Sequence, residues 1–493
     1  HRDCAPCTND CFVHIAKRLC HRHGYAVRCT KLLRCTYRFF EFYSLFLEHH
    51  RMSFKRFEIP PRFHDLPMGM RRASLCADLT SENVLKTLLG RHDLDDKAYD
   101  FIDRSIDAMI ENAIGTHPMP LGVVPNFCVD GTMHAVAMAT EEPSVIAGFN
   151  RVSRVFNASG GTLTSMPMPM TAAQIAIAIS PQNASHLLEN LQSRVDDWRT
   201  IANDANPALV AAGGGVVQID FEMIATAESA RCHCTTDACF ATLAEFDPIE
   251  PINEVLVVAT LHVSTRDAMG ANAVNAMAEA LQNAWFEHYG KMDGYAPCMA
   301  IVSNRAAERN VHAQVSIPEQ VIEQYTKLNF DDFSQRIDRA MRFANASPAR
   351  AVTHNKGILN GIVAAATPLG QDTRAICASA IDAATRTGIH KPLTQWFGAQ
   401  HRENGKRYLV GSIDIDIPVG FVGGMRHIPH IDAAFKFDHI SSLSALSGVL
   451  ASVGLAQNFA ALWALVTDGI QAGHIKLHDK KKAIKANGES PPH

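Results

Sequence analysis

The chain has 493 residues, of which 47% are hydrophobic and 19% are charged, so it is long enough for two or three domains and apolar enough to bury a large core. Lysine and arginine total 46 against 50 aspartate and glutamate residues, which gives a formal net charge of −4. Because no basic stripe interleaved with aromatic residues stands out, the sequence excludes nucleic acid as an expected partner.

The first 51 residues form an extension rich in cysteine, arginine and histidine that runs into Met52. One interpretation is a metal-binding appendage based on Cys4, Cys7 and Cys11, but no second pair at zinc-finger spacing completes it. We favour translation from Met52, with residues 1–51 not native and no metal site. The remaining cysteines are scattered, which is typical of a reducing cytoplasm, and we predict a cytoplasmic protein.

Helical spacing of apolar residues from Leu79 to Asn112 predicts a helical entry. Residues 121–140 are strand-like, and the Asp130-Gly131 pair predicts a hairpin turn between two strands. The string Glu141-Glu142-Pro143-Ser144 follows, with two adjacent carboxylates before a proline. Taken alone, this string is typical of a helix entry with exposed acids.

Strands alternate with helices between a boundary near residue 167 and residue 303. The predicted elements are a strand at 172–179, a helix at 185–205, strands at 216–225 and 254–265, and a helix at 273–290. Such alternation predicts a compact α+β or α/β module.

Two later polar strings are candidates for chemistry. We predict a tight loop from Thr353 to Gly361, in which Lys356 is held between polar residues and glycines and is suited to stabilising a developing oxyanion. Asp372 precedes a predicted helix that begins at Arg374, so it is either a functional carboxylate or the N-cap of that helix.

The longest apolar stretch, Leu443 to Val466, is long enough to cross a membrane. It contains several serines together with Gln457 and Asn458, whose polar groups would lack hydrogen-bond partners in the hydrocarbon core of a membrane. We therefore predict a buried helix and no membrane span. His474 follows, and on its own it is equally well explained as a partner of a helix C-terminus.

Each of these strings is weak alone, but their joint occurrence in this order closely resembles the 3-hydroxy-3-methylglutaryl-CoA (HMG-CoA) reductase family, and specifically its soluble bacterial degradative class. The resemblance spans residues 54 to 478. The matching motifs are ENAIG at 111–115, EEPS at 141–144, RDAMGANAVNAMAE at 266–279, SN at 303–304, THNKGILNG at 353–361, QDTRAI at 371–376, and VGLAQNFAAL followed by GIQAGH.

The resemblance implies an α+β fold in which a ferredoxin-like cofactor domain is inserted into a large substrate domain of helices and strands. Residues 52–166 and 304–465 would form the two parts of the large domain, and residues 167–303 the small nicotinamide-cofactor domain. Residues 466–493 would begin a C-terminal flap that is truncated here. A homodimer or higher homo-oligomer is also implied.

The family's reaction interconverts HMG-CoA with mevalonate and coenzyme A, using two equivalents of NADH or NADPH. The resemblance implies Lys356 as the group that stabilises the reacting carbonyl oxygen, and Glu142 as the proton donor and acceptor at that oxygen. Asp372 would bridge Glu142 and Lys356, and His474 would protonate the departing CoA thiolate.

The resemblance also implies residues that bind substrate and cofactor. Ser144 and Arg350 would hold the distal carboxylate of the substrate, Arg350 by charge-assisted hydrogen bonds, with Asn304 and Asn360 as supporting contacts. The cofactor diphosphate would lie against the start of a helix, where small residues let it approach backbone N–H groups. The contributing residues would be Asp267, Met269, Gly270, Ala271 and Asn272.

Three departures from the family leave alternatives open. Asn206 stands where NAD-preferring members carry an acidic residue for the ribose hydroxyls, so NADPH and NADH are both candidates. Residues 221–250, which contain Cys232-His233-Cys234, form a longer connection between the two predicted strands than the family has. We favour a surface insertion here over a metal site. The third departure is the truncated C-terminal flap. Because the flap closes the family's site, the alternative function is an impaired relative that binds CoA esters without turnover.

Overall fold

The structure is a computed structural model. It describes Leu66, Met70, Arg104 and residues 106–225, 253–402, 405–427, 429–467 and 469. Residue contacts divide the chain into two units, His1–Pro118 and Met119–His493, and nearly all described residues belong to the second unit. Several predictions fall outside the described residues: the cysteine-rich extension, almost all of the helical entry, most of the insertion at 221–250, and His474.

The described part of this unit mixes strands with helices, as predicted. The strands are β1 (Leu121–Val129), β2 (Thr132–Ala139), β3 (Leu163–Ser165), β4 (Met170–Ile179), β5 (Gly215–Ala225), β6 (Val255–Ser264), β7 (Ala296–Val302), β8 (Asn310–Pro318), β9 (Thr394–Gln400) and β10 (Arg407–Asp416). The helices are α1 (Pro143–Ala158), α2 (Pro181–Ser193), α3 (Val195–Asp204), α4 (Pro207–Ala211), α5 (Ala271–Tyr289), α6 (Glu319–Thr326), α7 (Phe330–Ala346), α8 (Pro348–Ala366), α9 (Thr373–Thr385), α10 (Pro429–Phe437) and α11 (Leu443–Val466).

The predicted hairpin at Asp130-Gly131 is confirmed. Strands β1 and β2 pair antiparallel, and Val129 lies opposite Thr132 across the turn. Asp130 and Gly131 have φ values of 49° and 75°, and two positive φ angles at the central residues are what a two-residue turn needs to match the twist of its strands.

The larger hydrophobic core is built on an antiparallel sheet of order β3-β8-β10-β9. Strand β10 is central and pairs with β8 from Tyr408–Pro318 to Asp416–Asn310. Aromatic side chains join this sheet to the helices, since Trp396 of β9 stacks on Phe459 of α11 with ring centroids 4.6 Å apart. The core therefore fixes α11 against the sheet.

Helix α11 is long and apolar enough to span a membrane by length and composition, but every residue from Leu446 to Phe459 is buried inside the protein. The prediction of a buried helix is confirmed. Its glycines permit close packing, because a Cβ atom on Gly454 would lie 2.7 Å from Cδ1 of Ile362 in α8.

The predicted loop at 353–361 is wrong, because this segment lies inside helix α8. Ser347 caps the helix by accepting a hydrogen bond from the Arg350 amide, and Pro348 occupies the first turn, where its missing N–H costs nothing. Gly361 suggested a loop, but a Cβ there would lie 2.8 Å from Cβ of Gln457. The glycine therefore serves the close contact between α8 and α11.

A second hydrophobic cluster surrounds another antiparallel sheet, of order β5-β6-β4-β7. Its elements follow one another along the chain as β4, then α2, α3 and α4, then β5, β6, α5 and β7. The cluster centres on Trp198 of α3 and Trp285 of α5, whose rings meet edge to face at 6.0 Å. The helix predicted at 185–205 is two helices, which break at Arg194.

Candidate functional site

A cavity of about 520 Å³ lies between α1, α8 and α11. Four of the predicted site residues line it: Ser144 from α1, and Arg350, Lys356 and Asn360 from α8. The α11 side includes Gln457 and Asn458 and then a run of mainly apolar residues from Ala460 to Leu465. The cavity thus combines three cationic side chains, Arg151 of α1 and Arg350 and Lys356 of α8, with an apolar wall, which suits an anionic ligand with an apolar portion.

The helical geometry of α8 explains why these residues meet although the predicted loop is absent. Arg350 and His354 are separated by four residues, as are Lys356 and Asn360, so each pair shares one side of the helix. Burial lowers the pKa of Arg350. A partly desolvated guanidinium is a strong site for a carboxylate, because charge-assisted hydrogen bonds gain strength away from water.

The acidic string at the start of α1 has the geometry of a helix cap. Oε1 of Glu142 accepts a hydrogen bond from the Ser144 amide at 3.1 Å, and Pro143 occupies the first position of the helix. This cap sets Ser144 at the edge of the cavity. Glu142 itself is not among the described residues that line the cavity.

Asp372 is the N-cap of helix α9, which is one of the two roles predicted for it. Its carboxylate accepts from the amides of Arg374 at 3.0 Å and Ala375 at 3.2 Å, and Nε of Arg374 lies 3.1 Å away. Burial raises the pKa of Asp372, but the hydrogen bonds from Arg374 and the two amides outweigh it, so the net pKa is lowered. The bridge from Asp372 to Glu142 and Lys356 stays a prediction.

Asn304 follows β7 and is held through its backbone, since its carbonyl accepts a hydrogen bond from the Ser379 hydroxyl at 2.7 Å. Neither Asn304 nor Asp372 is among the described residues that line the cavity. Of the eight residues predicted for catalysis and substrate binding, the structure therefore brings four together here, and His474 lies outside the described residues.

The predicted cofactor segment forms a turn that leads into α5. Gly270 precedes the helix with φ 81°, and a Cβ there would lie 2.3 Å from Cγ2 of Thr265. Only glycine fits this position without displacing the turn. At the start of the turn, the Asp267 carbonyl accepts a hydrogen bond from the Phe421 amide at 2.7 Å. The backbone amides at the start of α5 therefore lie in a rigid setting.

Arg309 holds this turn, a role that no sequence pattern predicted. Its side chain is 2% exposed, and burial lowers its pKa to about 10. The guanidinium donates only to neutral oxygens in the hydrogen bonds that the structure shows: the carbonyls of Met170, Ala268, Met269 and Val419 and the hydroxyls of Thr171 and Thr265. A lone arginine beside an acidic residue gives no sequence signal for such a role.

Asn206 is the N-cap of α4, where its Oδ1 accepts from the Leu209 amide at 3.1 Å.

Two residues that line the cavity, Arg151 and His354, were not predicted from the sequence. Arg151 lies with its guanidinium carbon 3.8 Å from the ring centroid of Trp463, and His354 is 2% exposed within a polar network.

Comparison with known proteins points to one family. The sequence profile described as hydroxymethylglutaryl-coenzyme A reductase matches residues 70–479. The 3-hydroxy-3-methylglutaryl-coenzyme A reductase of Archaeoglobus fulgidus is 36% identical over 383 residues, which cover 77% of this chain and 78% of that protein. A protein named as a probable member in Borreliella burgdorferi is 29% identical over 375 residues, covering 76% and 77%.

Solved structures give the same result. The class II 3-hydroxy-3-methylglutaryl-CoA reductase of Streptococcus pneumoniae, bound to NADPH in open conformations, superposes with a TM-score of 0.62 at 30% identity, covering 76% of this chain and 94% of that chain. A second structure of the Streptococcus pneumoniae protein gives a TM-score of 0.63 at 31% identity, covering 81% and 88%.

Proposed function

The chain belongs to the hydroxymethylglutaryl-coenzyme A reductase family, a family of oxidoreductases that use NAD(P)H, and we propose that it converts HMG-CoA to mevalonate and coenzyme A with two equivalents of NADPH or NADH. The observation that carries this proposal is the cavity in which Ser144, Arg350 and Lys356 converge. The two cations that α8 contributes match a substrate with a free carboxylate and a carbonyl that develops negative charge.

Each cavity residue has a role that follows from its chemistry. Arg350 and Ser144 bind the distal carboxylate of the substrate, and the reduced hydration of Arg350 strengthens that contact. Lys356 stabilises the oxygen of the thioester and then of the aldehyde carbonyl. Asn360, one turn beyond Lys356 on the same helix, supports the bound substrate by hydrogen bonds.

Proton transfer involves residues outside the cavity lining. Glu142, two residues before Ser144, exchanges a proton with the reacting oxygen. Asp372 bridges Glu142 and Lys356 after exchanging its bonds with Arg374, a step that its side-chain exposure of 35% favours. His474 protonates the CoA thiolate, and Asn304 supports the site.

The cofactor supplies the two reducing equivalents and binds the ferredoxin-like domain at 167–303. The β-α-β-β-α-β order of its elements and the sheet order β5-β6-β4-β7 support this assignment. The diphosphate lies at the turn from Asp267 to Asn272, against the start of α5. The Streptococcus pneumoniae relative binds NADPH, and we propose that this chain acts as a cytoplasmic homodimer.

The alternative is a relative that binds CoA esters without turnover. To distinguish the two, the protein is incubated with HMG-CoA and the absorbance of NADPH and NADH is followed in parallel, while binding of HMG-CoA is measured by calorimetry. We expect oxidation of two cofactor equivalents per mevalonate formed. Binding of HMG-CoA with no oxidation of either cofactor would support the alternative.

A further inference from the structure

His354 lies on α8 between Arg350 and Lys356, the two cations that this helix contributes to the cavity. It follows Arg350 by one helical turn, precedes Lys356 by two residues, and contributes to the lining of the same cavity. Its side chain is 2% exposed. A buried imidazole must satisfy both ring nitrogens or leave one for a ligand.

The hydrogen bonds around His354 favour one of its two neutral tautomers. Trp396 Nε1, which is only a donor, lies 2.9 Å from Oδ1 of Asn458. The oxygen of the Asn458 amide therefore faces Trp396, and its NH₂ group faces Nε2 of His354 at 2.9 Å. Because an NH₂ group only donates, Nε2 is the acceptor and the neutral ring carries its proton on Nδ1.

The same network disfavours the doubly protonated ring. A proton on Nε2 could be accepted only by the Thr394 hydroxyl, and it would lie against the NH₂ group of Asn458, which cannot reorient without breaking its bond to Trp396. Burial, with a smaller contribution from Arg350, accordingly lowers the pKa of His354 to about 4. The Thr394 hydroxyl lies 2.6 Å from Nε2 and 2.9 Å from Oδ1 of Asn458; it has one proton, and the Nδ1–H tautomer requires that this proton is donated to Nε2.

Nδ1 is different, because it is buried and has no hydrogen-bond partner within the part of the chain that the structure describes. Its proton is thus a fixed, neutral donor in a residue of the cavity lining. Arg350 lies on the same side of α8, so a carboxylate bound by Arg350 has a second oxygen available for this donor.

We propose that His354 donates a hydrogen bond from Nδ1–H to the distal carboxylate of the substrate that Arg350 binds. The proposal rests on the proposed function and adds a specificity residue to it. His354 then recognises the acid end of the substrate and takes no part in proton transfer, because Nδ1 keeps its proton throughout the neutral pH range.

Two variants separate this role from a structural one. His354→Gln keeps an acceptor near the Nε2 position and lacks a donor near Nδ1, whereas His354→Asn keeps a donor near Nδ1 and lacks the acceptor near Nε2. For His354→Gln we expect HMG-CoA binding to weaken about tenfold to hundredfold with little change in Tm. For His354→Asn we expect a lower Tm and HMG-CoA affinity within about threefold of wild type.

Acetyl-CoA, which lacks the distal carboxylate, is the control ligand. Its affinity, and that of NADPH, should be the same in wild type and His354→Gln. Wild-type protein that binds no HMG-CoA would contradict the proposed function. Wild-type protein that binds HMG-CoA no better than His354→Gln would contradict only the role of His354.

The protonation state is tested separately by a long-range ¹H–¹⁵N spectrum of histidine-labelled protein, with His354→Gln to assign the signal. We expect the shifts of an Nδ1–H tautomer, unchanged between about pH 5.5 and 8. An Nε2–H tautomer would overturn the proposal whatever the binding data show.

Discussion

The cavity beside α8 and the turn before α5 both hold residues of the proposed site, but their polar atoms are partnered in different ways. In the cavity, Nδ1 of His354 and Oε1 of Gln457 are buried without a hydrogen-bond partner in the described structure. At the turn, Arg309 engages the Ala268 and Met269 carbonyls and the Thr265 hydroxyl. The first region retains hydrogen-bonding capacity for a ligand, and the second uses it to fix the backbone.

This difference predicts how substitutions act. A side-chain atom of the cavity that has no partner within the protein contributes mainly to ligand binding, so removing it changes activity more than stability. A side chain that holds the turn contributes through the backbone shape that it maintains, so replacing it changes stability and cofactor binding together.

Lys356→Ala should have the largest effect on activity. Lys356 is exposed on α8, and alanine is a good helix former, so stability should hardly change. Loss of the charge that stabilises the reacting oxygen should lower turnover by about 10³-fold or more, with NADPH affinity unchanged. Steady-state kinetics and calorimetry measure the two quantities, and Lys436→Ala, at an exposed lysine outside the cavity lining, is the matched control. Normal turnover in Lys356→Ala would remove lysine from the mechanism.

Arg309→Gln should break the turn and affect both properties. Several buried carbonyls would lose their donor, at a cost of about 3 kcal/mol in the free energy of unfolding. We also expect the KM for NADPH to rise about tenfold while the affinity for HMG-CoA is retained. Urea unfolding and kinetics provide the readouts. Arg309→Lys retains the charge but not the fork of donors, so partial recovery is expected; equal loss of NADPH and HMG-CoA affinity would contradict a specific effect on the turn.

Asp438 tests what an unpartnered polar atom does away from the cavity. Its side chain is fully buried, Oδ1 accepts from the Ala137 amide at 2.9 Å, and Oδ2 has no partner in the described structure. Burial raises the pKa of Asp438 to about 7, against the opposing effect of that hydrogen bond. Because the folded state holds this proton more tightly than the unfolded state, the stability that Asp438 contributes is full below about pH 4 and is lost as the pH rises to about 7.

Asp438→Asn should therefore stabilise the protein at pH 8 by about 1 to 3 kcal/mol and have little effect at pH 4. The difference between wild type and variant in urea unfolding, measured from pH 4 to 8, isolates this group from the others. A difference that stays constant with pH would contradict the buried neutral carboxyl.

The features that the sequence predicted correctly depend on neighbours along the chain. The Asp130-Gly131 hairpin, the strands β4, β5 and β6 of the second sheet and the apolar helix α11 each carry a local signal of turn chemistry or hydrophobic pattern, whereas β7 was not predicted. Helix α8 was missed because threonine, asparagine and glycine are poor helix formers. The contact that justifies Gly361 is with Gln457 of α11, which no local pattern reveals.

The site shows the same limit. Lys356 was identified because it belongs to the motif at 353–361, and Arg350 because it lies just before that motif, although the conformation predicted for the motif was wrong. Arg309 was missed because the oxygens that it binds include those of Met170 and Val419, which are 139 and 110 residues away in the sequence. His354 was missed because its role depends on Trp396 and Asn458, which orient its ring from two other elements.

Asn206→Asp should have the smallest effect on stability and still change function. Aspartate caps a helix as well as asparagine does, so the bond to the Leu209 amide should persist and the free energy of unfolding should change by less than about 0.5 kcal/mol. A carboxylate at this position would accept from the ribose hydroxyls of NADH and repel the 2′-phosphate of NADPH. We therefore expect kcat/KM to shift towards NADH by about tenfold. Asn206→Ala is the control, since it should lose about 1 kcal/mol of stability with the cap and give no gain with NADH. An unchanged cofactor ratio in Asn206→Asp would mean that the ribose does not reach α4.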